Sequence, residues 1–425
     1  CINIMSDCDY DVIIVGGGIA GMACGVALAR RGIKRIKIYE KARSLEQLGA
    51  ALGLFPNGFA ALQEISPAVK ERIHESAVPL STMQMKNLDG SMIRDTDLTS
   101  SSRVLPTYLV WYLLQEYLRD ELPEGVLSLG HMVESFSVIH DSNTENKNRK
   151  IVGVRTLNRS EENAAETKTC KVLIGADGIR SVVRTLLFGK RQMKYHGKMM
   201  FRAVMSLNQI DAGVCSSAGT STAYQGEEKG KLFAFRETAK GILTFTAMCL
   251  FDEPDLIKQE KDRKERLKKL FSGYPKDVGH IIERTPPSSL YENAVHDIEV
   301  EEKWSDGPVL LIGDAAHAMT PGMGQGANQG LEDACELAIL LAPALLFVEG
   351  REQTEKSSTE DISNVLERFW RGRIDRVKEI HAASRARTES VNKSSNKNIA
   401  YSEKDKLSLN DRVYQWKPTS TMAQS

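Results

Sequence analysis

Paired cysteines, long apolar runs and an excess of charge of either sign are all missing from this chain, and each absence removes a class of function. The seven cysteines (Cys1, Cys8, Cys24, Cys170, Cys215, Cys249, Cys335) are scattered, odd in number and form no C-x-x-C pair. That argues against a redox dithiol or a cysteine zinc site and for free thiols in a reducing compartment; no metal is expected. No apolar stretch reaches the roughly 18 to 20 residues of a spanning helix, and the longest candidate, Ala338 to Val348, is interrupted by Pro343. A soluble chain with no transmembrane segment is expected, with peripheral membrane contact left open. Lys+Arg and Asp+Glu both number 56, so no long-range field draws the chain to nucleic acid or acidic lipid. The chain starts at Cys1 with Met5 just ahead of the first expected strand. A processed precursor and a few extra leading residues are both compatible with this. The expected location is cytoplasmic, or an organelle lumen (plastid or mitochondrion) if a targeting segment has been lost.

At 425 residues, 41% of them hydrophobic, the chain is long enough for two or three compact units. Asp11 to Val15 is a short β-branched run, followed by three glycines and by small and apolar residues from Met22 to Arg31. Lys34 to Tyr39 then completes a β-α-β unit. Met132 to Ile139, Ile151 to Leu157 and Thr169 to Ile174 read as strands, separated by polar loops at 141–150 and 158–168. Alternating segments at 201–207, 220–225, 231–236 and 242–251 predict an antiparallel sheet and a second domain. The charged stretch 256–270 reads as a solvated helix rather than a binding patch. Pro308 to Ile312 returns the chain to the first domain. A helix continues from Leu331 to about Leu341, a polar linker spans 350–363, and Leu366 to Arg387 forms an amphipathic, arginine-rich helix. The composition from Glu389 onward is that of a disordered tail. There is no internal repeat.

Three clusters carry chemistry. Gly16-x-Gly18-x-x-Gly21 lies between strand and helix, where glycines let the backbone turn tightly and approach a pyrophosphate at the helix N-terminus. Glu40 ends the second strand nineteen residues after Gly21, placed for an adenosine ribose. The second cluster, Gly175 to Ser181 with Arg184, holds Asp177, Gly178 and Arg180; an ordinary strand-to-helix turn capped by Ser181 is its plain alternative. The third runs from Gly313, Asp314 and His317 through Pro321, Gly322, Gly324, Gln325 and Gly326 to Asn328. Its glycines can aim several backbone N–H groups at one point, as a developing anion on a ring carbonyl requires. Asp314 offers a carboxylate to a sugar or ribityl hydroxyl. His317 is expected to be packed and hydrogen-bonded rather than an acid–base catalyst.

In this order the three clusters resemble the class A FAD-dependent monooxygenases, the p-hydroxybenzoate hydroxylase-like family, over about residues 9–381. The order and short connections are more similar to zeaxanthin epoxidase-like and salicylate hydroxylase-like members than to the longer phenol hydroxylases. Gly49 to Leu54 with Pro56 and Asn57 resembles the family segment along the flavin ring, and Leu366 to Val377 its C-terminal helix. The resemblance implies an α/β fold: a Rossmann-type FAD-binding β-α-β domain, glutathione reductase-like, with an inserted antiparallel-sheet substrate domain and a C-terminal helix. The implied extents are 9–85, 104–190 and 290–345 for the FAD-binding domain, 86–103 and 191–289 for the substrate domain, 360–390 for the helix and 391–425 for a disordered tail. Implied cofactor-binding residues are Gly16, Gly18, Gly21, Glu40, Arg43, Leu52, Gly53, Gln115, Asp177, Gly178, Arg180, Gly313, Asp314, Pro321, Gly324, Gly326 and Asn328. Glu40 takes the adenosine ribose, Asp177 lies near the pyrophosphate and nicotinamide path, and Asp314 holds the ribityl chain. The backbone of Gly322, Gly324, Gln325 and Gly326 faces the pyrimidine end of the ring.

The implied reaction uses NADPH or NADH and O₂ to hydroxylate or epoxidise a small, largely apolar aromatic or polyene substrate through a flavin C4a-hydroperoxide. A second G-x-G-x-x-G and a cysteine pair, which a disulfide-reductase type of flavoprotein needs, are both absent, so the nicotinamide is a transient visitor. Arg202, Tyr224 and Arg236 are candidates to line the pocket, against the alternative that each is structural. One position departs from the family's R-x-x-L-Q signature: the corresponding Trp111-Tyr112-Leu113-Leu114-Gln115 puts an indole where a guanidinium is expected. Two alternatives therefore stand beside the monooxygenase: an FAD-dependent reductase or dehydrogenase without oxygen insertion, and a catalytically impaired FAD-binding protein.

Overall fold

The computed structural model describes residues 8–45, 51–99, 105–140, 150–159, 164–211, 213–214, 217–252, 262–347, 361–393, 409 and 411–422. Cys1, Met5, Gly49, Ala50, Cys215, most of the 141–150 loop and the linker up to residue 360 lie outside them. The first strand, Tyr10–Val15, has Val12, Ile13 and Ile14 fully buried, as a strand covered on both faces must. It pairs in parallel with Ile36–Glu40 on one side and Ala164–Gly175 on the other. Leu127–Leu129 and Val309–Leu311 extend this parallel set outward. The strand Ala164–Gly175 begins inside the stretch expected to be a loop, because residues 152–158 pair antiparallel with its residues 164–170 and supply partners for its polar first half. Helix Ile19–Arg30 crosses between the first two strands, and the long helix Gly326–Phe347 packs across it. This is the expected Rossmann-type α/β domain. Among the described residues no helix is long and apolar enough to cross a membrane.

The second sheet has seven strands. Its order is Leu290–Asp297, Lys194–Ser206, Ile242–Leu250, Leu232–Ala239, Thr220–Gln225, Thr82–Lys86, Met92–Asp97. It departs from the expectation in three ways. One pair, Thr82–Lys86 with Thr220–Gln225, is parallel. The sheet takes residues 82–85 and 290–297 from the stretches expected in the first domain, since its outer strands come from segments far away in sequence. Its register also splits the candidate pocket residues. Arg202 lies opposite Thr246 and Arg236 opposite Thr244, so both arginines share one face. Tyr224 lies opposite Phe233 and is buried on the other face with Phe201, Phe235, Phe245 and Phe271. Tyr224 is a core residue, not a pocket residue.

Further boundaries differ for physical reasons. Of the charged stretch 256–270, the helix Arg263–Leu270 buries Leu267 and pairs the buried Arg266 with Glu292, so one of its faces is core. Helix Gly326–Phe347 starts before and ends after its expected limits and runs through Pro343. The C-terminal helix spans Ile362–Lys393. Within the expected disordered tail, residues 411–420 are ordered against the body: Val413 is buried, and Thr419 N donates to Glu336 Oε1 at 3.0 Å.

A buried cluster ties the second sheet to the C-terminal helix. Asp297 has no exposure; Arg385 donates to it from Nε at 2.8 Å and from Nη2 at 3.1 Å, and His196 Nε2 lies 2.9 Å away, with His381 at 3.8 Å. Burial alone would raise the Asp297 carboxyl, but His196 and Arg385 override it and hold it at about 2. A carboxylate held below its ordinary 3.8 contributes stability above that value, and the contribution is lost as pH falls from there toward about 2. Denaturant midpoints followed from about pH 6 to about pH 2 are expected to drop across that window, and Asp297→Asn is expected to flatten the drop while lowering the plateau. An unchanged acid limb in the variant would contradict this.

Candidate functional site

The first strand ends at Val15 and the backbone turns at Gly16, whose φ of 109° belongs to glycine; a Cβ there would lie 2.4 Å from Ala176 O. A Cβ at Gly21 would lie 2.0 Å from Gly16 O, so only glycine lets the helix begin against the turn. Gly18 is the reverse case. It caps the helix without a side-chain hydrogen bond, no acid stands in the first turn, and a Cβ there would meet nothing within 4 Å. Helix N–H groups left without partners face open space, which is the arrangement that takes a phosphate. Gly17 is fixed from both sides: its N–H donates to Glu40 Oε2 at 2.7 Å, and its carbonyl accepts from Gln115 Nε2 at 2.8 Å.

These groups border a cavity of about 760 Å³, within the range of a large cofactor site. All three motifs reach it. Gly16, Gly18 and Glu40 line it from the first, Asp177, Gly178 and Arg180 from the second, and Gly313, Asp314, Pro321, Gly324 and Gly326 from the third, with Leu52 and Gly53 alongside. Other expected site residues stand behind the wall. Gly21 and Gln115 shape the turn, whereas Arg43 is exposed and away from the cavity, donating to Arg159 O at 2.7 Å. Gly322 turns its bare Cα toward the C-terminal helix, where a Cβ would lie 2.3 Å from Ser384 O. Gln325 is buried, accepting from Asn57 Nδ2 at 2.9 Å. Asn328 is a brace: it donates to Gly53 O at 2.9 Å and Gly324 O at 3.1 Å and accepts from Phe55 N at 3.1 Å.

The second motif unites its two readings. Ser181 caps helix Val182–Phe188 as expected, its Oγ accepting from Arg184 N at 2.9 Å and donating to Asp177 at 2.5 Å; Asp177 also accepts from Val182 N at 2.6 Å and lines the cavity. Burial pushes its carboxyl above the ordinary range. Arg184 joins this motif to the third, donating to Ala315 O at 2.7 Å and Ile179 O at 2.5 Å. In the third, the Asp314 side chain is exposed to the cavity; desolvation by the surrounding protein raises its carboxyl, while His317 and Arg184 oppose the shift. His317 is fully buried, with Nε2 2.7 Å from Asp333 Oδ2 and its ring against Trp304, the packed histidine expected.

The sequence reading missed what holds this third motif. Asp333 accepts from Gly313 N at 2.9 Å, His317 Nε2 and Arg373 Nε at 2.9 Å. Glu332 accepts from Arg373 Nη1 at 2.5 Å, from Arg376 Nη2 at 2.8 Å and from Asn57 Nδ2 at 2.7 Å. Burial would raise Asp333, but His317 and Arg373 pull it to about 2, and Arg373 lies above its ordinary value because these carboxylates outweigh its burial. Four residues bury two opposed pairs of charge, and the available signal was the pair Arg373 and Arg376 three apart on the inner side of an arginine-rich helix.

The FAD binding domain family matches residues 9–373. The chain belongs to this family. It is 30% identical over 335 residues to the aurachin C monooxygenase/isomerase of Stigmatella aurantiaca, covering 78% of this chain and 80% of that protein. It is 28% identical over 382 residues to the 3-amino-4-hydroxybenzoate 2-monooxygenase PtnB3 of Streptomyces platensis, covering 88% and 87%. In fold it is similar to Klebsiella pneumoniae HpxO complexed with FAD and uric acid, with a TM-score of 0.71 at 21% identity over 96% of this chain and 92% of that one. As a member of the family the chain is an FAD-dependent monooxygenase, and the cavity with its uncapped helix start and three converging motifs fits FAD.

Two glycines separate folding from binding. Gly18→Ala is expected to leave the thermal midpoint of flavin-free protein unchanged and to abolish the flavin absorbance of the purified protein; retention of FAD would contradict the cradle. Gly21→Ala is expected to lower the midpoint of the flavin-free protein as well. Arg373→Met leaves Glu332 and Asp333 buried and undercompensated and is expected to cost about 3–5 kcal/mol in denaturant unfolding; a loss under about 1 kcal/mol would show the network is not holding the fold.

Proposed function

We propose that the chain holds FAD along this cavity and uses NADPH or NADH with O₂ to hydroxylate or epoxidise a small, largely apolar substrate that carries one polar end. The helix start at Gly18 and the turn at Gly16 take the diphosphate, Glu40 the adenosine ribose, and Asp314 the ribityl hydroxyls. The backbone from Gly322 to Gly326 lies toward the pyrimidine end of the ring. FAD supplies the electron carrier and the centre at which O₂ is activated. The protein's own share is to orient, to exclude water and to place the substrate.

The observation that carries the substrate reading is Arg202. It lines the cavity from the second sheet beside Met200 and Asn293, donates from Nη2 to Asn293 Oδ1 at 2.5 Å, and leaves its buried Nε without a partner. Burial lowers its pKa. A guanidinium facing an otherwise apolar cavity is best satisfied by an anionic or polar oxygen, so a substrate phenolate, carbonyl or carboxylate oxygen fits against it. Met193, Met200, Val295 and Met319 make the surrounding wall apolar. A relative named for 3-amino-4-hydroxybenzoate is compatible with an aromatic substrate bearing oxygen.

The test is a screen of aromatic and polyene compounds for stimulation of oxygen-dependent NAD(P)H oxidation, with the product mass determined. Gain of one oxygen atom is expected; stimulated turnover that persists without O₂ and adds no oxygen would favour a reductase or dehydrogenase instead. With a substrate in hand, Arg202→Met is expected to raise KM on the order of tenfold to a hundredfold at unchanged FAD content. Equal KM in both proteins would remove Arg202 from substrate binding.

Trp111 lines the same cavity at the first position of helix Trp111–Asp120, where the family resemblance leads one to expect a cation. Trp111→Arg is expected to tighten FAD binding and to steepen its salt dependence. Identical salt slopes for the two proteins would place this side chain away from the diphosphate. Absence of NAD(P)H turnover in the wild type with its recovery in Trp111→Arg would support the impaired reading.

A further inference from the structure

The last described segment of the chain reaches the wall of the cavity. Arg376 donates from Nη1 to Arg412 O at 3.1 Å and from Nη2 to Val413 O at 2.7 Å, and Thr419 is anchored on Glu336. Between these two anchors the Tyr414 ring stacks on Phe55, with centroids 5.2 Å apart and planes 7° apart. Phe55 packs against two glycines that line the cavity, Gly53 and Gly324. A Cβ on Gly53 or on Gly324 would in each case lie 3.1 Å from Phe55 Cε2. The Phe55 backbone is itself tied to Asn328, which also holds both glycine carbonyls. Tyr108 closes the other side of Gly53, and the Arg236 guanidinium lies 4.1 Å from the Tyr108 ring centroid, on the sheet face it shares with Arg202. Burial raises the Tyr414 hydroxyl, with Arg387 opposing and Tyr108 adding to the shift, so its polar tip points among these same groups.

We propose that the C-terminal segment 411–420 is a built-in part of the active site, in which Tyr414 acts as a positioning residue that clamps Phe55 and thereby fixes Gly53 and Gly324 at the substrate end of the cavity. The reason is mechanical. Phe55 is the only described ring that a side chain on either glycine would strike in common, so its placement sets both edges at once. A parallel aromatic stack adds attraction beyond simple burial, so it biases the Phe55 position without being needed for the fold. The Arg376 side chain that holds the segment also belongs to the ionic network under the third motif, so segment and motif share one anchor. The proposal rests on the FAD reading for the location of the ring, and its test separates the two.

Hydrogen exchange of the wild type, with and without saturating FAD, is the first measurement. FAD is expected to slow amide exchange in 411–420 together with 53–55 and 321–326. Protection of 53–55 and 321–326 with none in 411–420 would overturn the clamp and leave the FAD reading standing; no uptake of FAD would sink that reading itself. The second measurement is iodide quenching of bound-flavin fluorescence in Tyr414→Ala and Tyr414→Phe. The alanine variant is expected to keep its FAD while its quenching constant moves toward that of free FAD, and the phenylalanine variant, which retains the stack, to match the wild type. An alanine variant with full FAD and wild-type quenching would overturn the proposal, as would a phenylalanine variant that behaves like alanine. If the alanine variant loses FAD altogether, the exchange experiment on the wild type decides alone.

Discussion

The third motif, which closes the site, leans on the buried charges between two helices. Arg373 and Arg376 reach from the C-terminal helix to Glu332 and Asp333 on the long helix, and Asp333 in turn holds the Gly313 amide and His317. Such a cluster adds little net stability over an apolar one, but removing one member strands the rest. What it contributes is position. The turn carrying Asp314 and the loop from Pro321 to Gly326 are short and glycine-rich, and without a rigid backing they would sample many conformations. The network converts a helix that never touches the cavity into the reference against which the third motif is set.

The other two motifs are fixed by different means. The first is held by steric exclusion, with Gly16 and Gly21 allowing backbone contacts that no other residue permits, and by the pair of hydrogen bonds that orient Gly17. The second is held by the Ser181 helix cap, which also bonds Asp177, and by Arg184 bridging to Ala315. One cavity thus has three independent supports, and a carboxylate from each motif lies at its edge: Glu40, Asp177 and Asp314. Asp177 is raised by burial, and Asp314, open to the cavity, by desolvation from the protein around it.

What could be read from the sequence was what is local. The β-α-β unit, its glycines and Glu40 lie within about thirty residues and obey one spacing rule, so the structure reproduces them closely. His317 was legible as a packed residue from its place beside a helix start. Partners that depend on register were not legible. Tyr224 and Arg236 read alike as strand residues, yet a cross-strand pairing puts one in the aromatic core and the other on the cavity side. The strand Thr82–Lys86 joins a sheet built more than a hundred residues later, and nothing in its own composition announces that. Gln115 and Asn328 read as cofactor ligands from their motifs, yet their side-chain N–H groups donate to the backbone carbonyls of Gly17 and of Gly53 and Gly324. Residues 411–420 read as tail because few of them are apolar, although Val413, Tyr414 and Trp416 suffice to dock the segment.

The central claim is that three distant segments form one FAD site. It is tested most directly by titrating flavin-free protein with FAD while following hydrogen exchange across the whole chain. The account predicts saturable uptake of one flavin per chain and simultaneous protection of 15–21, 176–180 and 313–326. Uptake that protects only the first segment, or no uptake at all, would contradict it.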